Sequence, residues 1–232
     1  VKHAIGVADG TIALIMGLRA AGIEPGDEVI VPSHTFVASA ASIHHVGAKP
    51  VLADCARDHL IDSASIKKLI NPRTRGIMPV QLNGRTANMD PICALADQHG
   101  LKIVEDSAQA LGSKFKGRFA GTFGVAGTCS FYPSKTLGCF GDGGAVFTND
   151  DEVADYVRLL RDHGRGPTGD VIDWGYNSRL DNLQAAILDF KLKTYDQAIA
   201  RRREIAMMYD ERLRDLEDLL LPPAPDSDLD HF

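Results

Sequence analysis

Residues 29–53 read VIVPSHTFVASAASIHHVGAKPVLA. Both ends, Val29 to Pro32 and Pro50 to Ala53, are short unbroken apolar runs. An unbroken run, rather than an alternating one, is the pattern of a strand covered on both faces. Between them, Thr35 to Val46 reads as a helix. The same alternation continues outward. Gly76 to Val80, Leu101 to Glu105, Cys129 to Phe131 and Ala145 to Thr148 read as further strands. Thr11 to Ala21, Ser63 to Ile70 and Met89 to His99 read as helices. Strands alternating with helices predict an α/β protein: a three-layer sandwich around a mainly parallel central sheet.

The pattern changes after Asn149. Val153, Val157 and Leu160 share one helical face, and Leu180, Leu183, Ile187 and Phe190 recur at helical spacing. Asp196 to Leu220 reads as one long amphipathic helix rich in Arg and Glu. A Gly-rich loop, His163 to Tyr176, separates these helices. Pro222-Pro223-Ala224-Pro225 and the acidic run behind it read as a linker or turn out of the last helix.

Bulk properties narrow the function. The net charge of −6 leaves no basic excess to neutralise phosphates, which argues against nucleic-acid and anionic-membrane partners. With 44% hydrophobic and 24% charged residues the chain has the composition of a soluble domain with a sizeable core. No apolar run is long enough to cross a bilayer, and no signal peptide opens the chain. The four cysteines (Cys55, Cys93, Cys129, Cys139) form no CxxC pair and have no neighbouring histidine cluster. They read as thiols in a reducing, cytoplasmic compartment, not as disulfides or metal ligands.

Four segments carry candidate chemistry, each where a strand should give way to a loop or helix, the end at which α/β sheets bind ligands. Ala8-Asp9-Gly10-Thr11 opens a helix, so its amides and the Thr11 hydroxyl could hold an anion; Asp9 or Thr11 could equally be an ordinary N-cap. In Val104-Glu105-Asp106-Ser107-Ala108-Gln109, a carboxylate at a buried strand end needs a partner. Asp106 could pair with a protonated heteroaromatic nitrogen, with Gln109 reaching a ring oxygen, or Asp106 could cap the next helix. In Ser130-Phe131-Tyr132-Pro133-Ser134-Lys135, followed by Gly138, Gly141, Gly143 and Gly144, a lysine lies among glycines that permit close backbone approach. A buried lysine amine becomes a nucleophile for carbonyls; a solvated surface lysine is the ordinary alternative. Gly175-Tyr176-Asn177-Ser178-Arg179-Leu180-Asp181 could bind a ligand, bind a partner or cap a helix.

Taken in order, these segments resemble the DegT/DnrJ/StrS family of pyridoxal-phosphate-dependent sugar aminotransferases, of the fold-type I aspartate aminotransferase class. The resemblance runs from about Val1 to about Arg203. Glu105-Asp-Ser-Ala-Gln109, Ser130-Phe-Tyr-Pro-Ser-Lys135 and Gly141-Asp-Gly-Gly144 are its most specific parts. It implies that Lys135 carries pyridoxal 5'-phosphate, that Asp106 keeps the pyridine nitrogen protonated, and that Gln109 contacts the ring's phenolic oxygen. It implies that Gly10, Thr11 and Ser130 bind the phosphate, that Phe36 stacks on the ring, and that Asn177 reaches the phosphate of a neighbouring subunit, hence a homodimer. Asp9 departs from the Ser or Asn of many relatives, and its side chain is expected to turn away from the phosphate. The implied reaction is amination of a nucleotide-linked keto-sugar, 3-keto favoured over 4-keto, with glutamate as donor, for polysaccharide or secondary-metabolite sugars.

Family members that replace the lysine by histidine are dehydratases, and Lys135 argues against that branch. Another fold-type I enzyme and a cofactor-binding regulator are the alternatives. Family chains are longer. Residues 1–193 are therefore expected to be the cofactor-binding large domain, and 194–232 a long helix and the start of a small C-terminal domain that is largely missing.

Overall fold

A computed structural model describes residues 1–222. In chain order its elements are β1 (His3–Val7), α1 (Gly10–Ala20), β2 (Glu28–Pro32), α2 (Val37–His45), β3 (Lys49–Ala53), α3 (Ser63–Leu69), β4 (Thr74–Ile77), α4 (Met89–His99) and β5 (Lys102–Asp106). A small hairpin, β6 (Lys114–Phe115) and β7 (Arg118–Phe119), leads to β8 (Ala126–Ser130), β9 (Gly144–Thr148), α5 (Asp151–Arg161), α6 (Asn182–Leu192) and α7 (Tyr195–Leu213).

Seven strands form one sheet in the order β1-β9-β8-β5-β4-β2-β3. Its neighbours from β8 to β3 are all parallel, and only β9 runs against the rest. The α/β sandwich expected from residues 29–53 is the observed fold. α1 packs with α2 and α5, whereas α3 packs with α4. α1 is the most enclosed helix: Ala13 to Leu18 are all buried. Gly17 lets α1 lie close to Val104 and Thr128; a Cβ there would stand 3.3 Å from the valine.

β1 is absent from the sequence reading. It pairs antiparallel with β9, from His3 opposite Thr148 to Val7 opposite Gly144. β4 ends at Ile77, short of the expected Val80. Met78 N still donates to Ile30 O, but Pro79 has no N–H to continue the ladder, and Val80 makes only an isolated bridge to Asp106. The last helix ends at Leu213 instead of Leu220. Pro223 to Pro225 and the acidic run lie outside the described residues.

α6 has the expected helical period but not a buried stripe. Leu183 and Phe190 are 72% and 74% exposed, and the residue α6 buries is Leu188. Leu188 joins Cys129, Phe131, Leu137, Cys139, Ala145 and Tyr195 in a small core of its own, beside the main one. The thiols of Cys129 and Cys139 are buried and all four cysteines are free.

Glu28 fixes the register of the parallel edge. It is buried at the start of β2 and accepts from Asn71 Nδ2 (2.7 Å), Arg73 Nε (3.0 Å) and Arg73 NH2 (2.8 Å), with Lys49 Nζ at 3.5 Å. One carboxylate thus joins the starts of β2, β3 and β4. The bonds from Asn71 and Arg73 draw its pKa from an ordinary 4.5 down to about 2. A depressed carboxylate stabilises the fold above its unfolded pKa, and that stabilisation fades as pH falls through the folded one. The melting temperature of Glu28→Gln should therefore lie below that of the unaltered chain at pH 7. The gap should narrow between about pH 4.5 and pH 2; a gap independent of pH would contradict this role.

Candidate active site

The expected ligand end of the sheet is occupied by a cavity of about 520 Å³, within the usual range for small-molecule sites. Gly10, Thr11, Phe36, Asp106, Gln109, Ser130 and Lys135 all line it. These residues come from the start of α1, the end of β2, the end of β5 and the end of β8, segments up to 125 positions apart, Gly10 to Lys135.

β5 ends in two adjacent carboxylates, and strand alternation sends them to opposite faces. Glu105, fully buried, accepts from Gln81 Nε2 (3.1 Å) and from the amides of Gly121 (2.8 Å), Phe123 (2.6 Å) and Gly124 (3.0 Å). It fastens the segment between β7 and β8 and does not line the cavity. Asp106 does. Its Oδ2 accepts from Ser39 Oγ (2.7 Å) and its Oδ1 from Ala108 N (3.1 Å). Burial pushes the Asp106 carboxyl above the usual range, against the pull of Ser39, Ala108 and the charge of Lys135. Ser39 in turn shares a 2.8 Å bond with Thr35 Oγ1, which opens on the cavity. Sequence reasoning missed Ser39; its only signal was a small polar residue on the buried side of α2.

Gln109 is oriented from behind. Asn83 N donates to Gln109 Oε1 at 2.8 Å. A backbone amide can only donate, so the carbonyl end of Gln109 is taken and its NH2 is the end left for an acceptor. Asn83 makes this bond with φ at 55°, a left-handed conformation that Asn tolerates.

At the start of α1, Asp9 is the N-cap: its Oδ1 accepts from Ile12 N at 2.9 Å. The carboxylate is thus spent on the third amide of the helix, while the amides of Gly10 and Thr11 have no acceptor within it. A Cβ on Gly10 would stand 2.8 Å from Ser130 Cβ, so glycine is what allows α1 and β8 to meet there. Gly144 has a similar task. A Cβ on it would meet Asp9 O at 2.4 Å and Gly10 N at 2.9 Å. The close approach read from Gly141-Asp-Gly-Gly is thus, at Gly144, an approach to the protein's own Asp9–Gly10 peptide. Asp142 of the same run and Tyr132 also line the cavity and were not singled out from sequence.

Lys135 lies in the turn after β8, where its N–H donates to Tyr132 O at 2.8 Å. Phe36 is the N-cap residue of α2 and is 66% exposed beside the cavity. Asn177 does not line the cavity. It is exposed, its Oδ1 accepts from Arg179 NH2 at 2.8 Å, and its backbone bridges to Asp162.

These donors fit a phosphorylated pyridine aldehyde. One end of the cavity has free helix amides and two hydroxyls for a phosphate. The floor has a buried carboxylate with an acceptor side toward the cavity, suited to a ring N–H. The amine of Lys135 opens on the same space.

The DegT/DnrJ/EryC1/StrS aminotransferase family model matches residues 1–232. The dTDP-3-amino-3,4,6-trideoxy-alpha-D-glucose transaminase of Streptomyces venezuelae is 47% identical over 97% of this chain and 60% of its own. The UDP-N-acetyl-3-dehydro-alpha-D-glucosamine 3-aminotransferase of Acidithiobacillus ferrooxidans is also 47% identical, over 97% of this chain and 61% of its own. Among solved structures, that of S. venezuelae DesV in complex with a ketimine intermediate superposes with a TM-score of 0.94 at 47% identity, over 99% of this chain and 62% of DesV. The chain thus spans about 60% of the length of the curated relatives it matches.

If Ser39 is what restrains Asp106, removing its hydroxyl should let burial act with less opposition. In Ser39→Ala the Asp106 carboxyl should titrate at higher pH than in the unaltered chain, followed by carbon-13 NMR of labelled aspartate. An unchanged titration would show that Ser39 does not tune Asp106.

Proposed function

The chain belongs to the DegT/DnrJ/EryC1/StrS aminotransferase family, and on that premise we propose that it transfers an amino group from glutamate to a nucleotide-linked keto-sugar, with pyridoxal 5'-phosphate held by Lys135. The observation that carries this reading is the convergence of Lys135 and the buried Asp106 on one cavity with an anion cradle at its end.

When bound, pyridoxal phosphate supplies an electron sink that lowers the cost of breaking a C–H bond beside its nitrogen. The residues serve that chemistry as follows. Asp106 holds a proton on the ring nitrogen; its own burial makes it a strong acceptor for that proton. The Gln109 NH2 donates to the ring's phenolic oxygen. Amides of Gly10 and Thr11, with the Thr11 and Ser130 hydroxyls, hold the phosphate at the positive end of α1. Asp9 spends its charge on Ile12 N and so opposes the phosphate less than a free carboxylate would. Phe36, at the side of the cavity, would cover one ring face. Once the donor's amino group displaces it from the cofactor, Lys135 Nζ would be the general base: it would accept the proton leaving the donor's α-carbon and, in the second half of the reaction, deliver a proton to the sugar carbon that gains the amine.

The position of the keto group follows the relatives. Both of those named above act, by their names, on carbon 3, and this favours a 3-keto acceptor, with a product destined for polysaccharide or secondary-metabolite sugars. We also propose a homodimer with shared sites. Its support is the exposure of large apolar side chains, Trp174 at 87% and Leu183 and Phe190 on α6, and Asn177, which is exposed, does not line its own cavity and would serve a partner's phosphate. Residues 1–193 would form the cofactor-binding domain and 194–232 would begin the next. A cytoplasmic location agrees with four free thiols. Among the described residues, no helix is long and apolar enough to cross a membrane.

Reconstituted with pyridoxal phosphate, the protein should absorb near the visible–ultraviolet boundary, and Lys135→Ala should lose that band. Glutamate should convert it, and a nucleotide-linked 3-keto-sugar should restore it faster than its 4-keto isomer. Absence of the band in the unaltered protein would remove the cofactor reading; a faster 4-keto reaction would reverse the choice of acceptor.

A further inference from the structure

The loop after Lys135 has little structure of its own. Between Lys135 and Gly143 there is no strand or helix, and its backbone bonds are few: Cys139 N donates to Phe131 O. Cys139 Sγ adds bonds to Phe131 O and Gly141 O within it, and three further side chains tie it from α6 and α7. Gln184 Oε1 accepts from Phe140 N at 2.8 Å, and its Nε2 donates to Phe140 O at 3.2 Å. Lys191 Nζ donates to Gly138 O. Tyr195, the first residue of α7, is buried, and its hydroxyl meets Thr136 Oγ1 at 2.9 Å and Leu111 O at 2.8 Å.

The last contact differs in kind from the others. Thr136 follows Lys135 directly. Leu111 lies two residues beyond Gln109. One phenol oxygen therefore ties the segment that bears the lysine to the segment that bears the ring-oxygen donor. The Leu111 carbonyl can only accept, so it takes the phenol's single proton, and the bond to Thr136 then uses the threonine's own.

We infer that the Tyr195 hydroxyl is a positioning group for Lys135: by linking Thr136 to Leu111 it fixes where the lysine amine stands relative to Gln109 in the shared cavity. The inference rests on Lys135 being the lysine that carries the cofactor. Its physical basis is that catalysis by a positioned amine is sensitive to sub-ångström displacement, while a surface-type loop without such a tie samples several positions. Lys191 and Gln184 hold the far end of the loop, and their effect on the amine is weaker for that reason.

Tyr195→Phe tests this, because it keeps the ring in the small core and removes only the oxygen. In the 232-residue chain reconstituted with pyridoxal phosphate, the dissociation constant of the cofactor should rise about fivefold, the worth of one buried hydrogen bond. The pH at which the lysine–cofactor band changes should move from its unaltered value. Conversion by glutamate should slow by a similar factor with little change in the glutamate concentration for half-saturation. Thr136→Val should reproduce the shift of the band and Thr136→Ser should not. Leu188→Ala removes packing from the same core without touching a polar group; it should lower the melting temperature and leave the pH midpoint in place. If Tyr195→Phe only lowers the melting temperature, or if Leu188→Ala moves the midpoint as far, the hydroxyl is structural and the inference falls. If the unaltered chain shows no band, the assignment of Lys135 falls with it. If the band is present and Tyr195→Phe matches it in every respect, only the inference falls.

Discussion

Two ionisable carboxylates stand side by side at the end of β5, both buried, and the site is organised by how differently each is compensated. Taking a carboxylate out of water costs several kcal/mol unless donors replace the lost hydration. A hydrogen bond to a charged group returns about 1.5–3 kcal/mol. Glu105 has four such donors, from Gln81, Gly121, Phe123 and Gly124, all supplied by the fold. Asp106 has two, from Ser39 and Ala108. Burial still pushes both upward, but Asp106 has fewer donors from the fold and lines the cavity. A ligand that brings an N–H there gains the compensation the fold withholds. The strand period alone decides which carboxylate is a fastening and which is a receptor.

The glycines follow from a second constraint, the crowding where α1, β8 and β9 meet. β9 is the reversed strand, so its first residue, Gly144, lies at the same end of the sheet as the last residue of β8. That end is also where α1 begins. Three backbones therefore converge at Asp9–Gly10, Ser130 and Gly144, at separations that admit no Cβ on Gly10 or Gly144. The anion cradle is what this packing leaves: amides facing the cavity, with hydroxyls of Thr11 and Ser130 beside them. Gly144 is in this respect a packing requirement of the cradle, whereas Gly138 and Gly143 make room for the lysine's own loop, against Pro133 O and Cys139 Sγ.

This explains what could be read from the sequence. Unbroken apolar runs such as Val29 to Pro32 announce doubly covered strands, and the parallel sheet follows from their alternation with helices. The segments of Asp106, Gln109, Ser130 and Lys135 stood out because each follows such a run, and it was the family resemblance that gave the residues their roles. β1 did not stand out, because His3-Ala4-Ile5-Gly6-Val7 is short, holds a glycine and a histidine, and owes its conformation to β9, which is 137 residues away counted from Val7 to Gly144. Ser39 was hidden for a related reason: a serine in a helix announces nothing until the helix is docked over Asp106. In α6 the period was legible and the buried side was not. Leu183 and Phe190 look like a core stripe, yet the chain's own core takes Leu188, since periodicity reports that a face is apolar and not what it is apolar against.

The lysine shows where these constraints meet. β8 delivers Lys135 to the ligand end of the sheet, and Lys135 N fixes its turn on Tyr132 O. Gly144 behind it sets the distance to the cradle. Neither fixes the amine relative to Gln109, because the two segments belong to different strands and part company after β5 and β8. Sheet pairing joins Asp106 to Thr128 but extends no further toward either residue. Something outside the sheet must close that frame, and the element that reaches both sides is the start of α7. A helix that by sequence looks like the beginning of a separate region therefore contributes, through one buried phenol, to the geometry of the site. Strands can bring catalytic groups to one edge; holding two of them at a fixed spacing beyond that edge takes a tie from another layer.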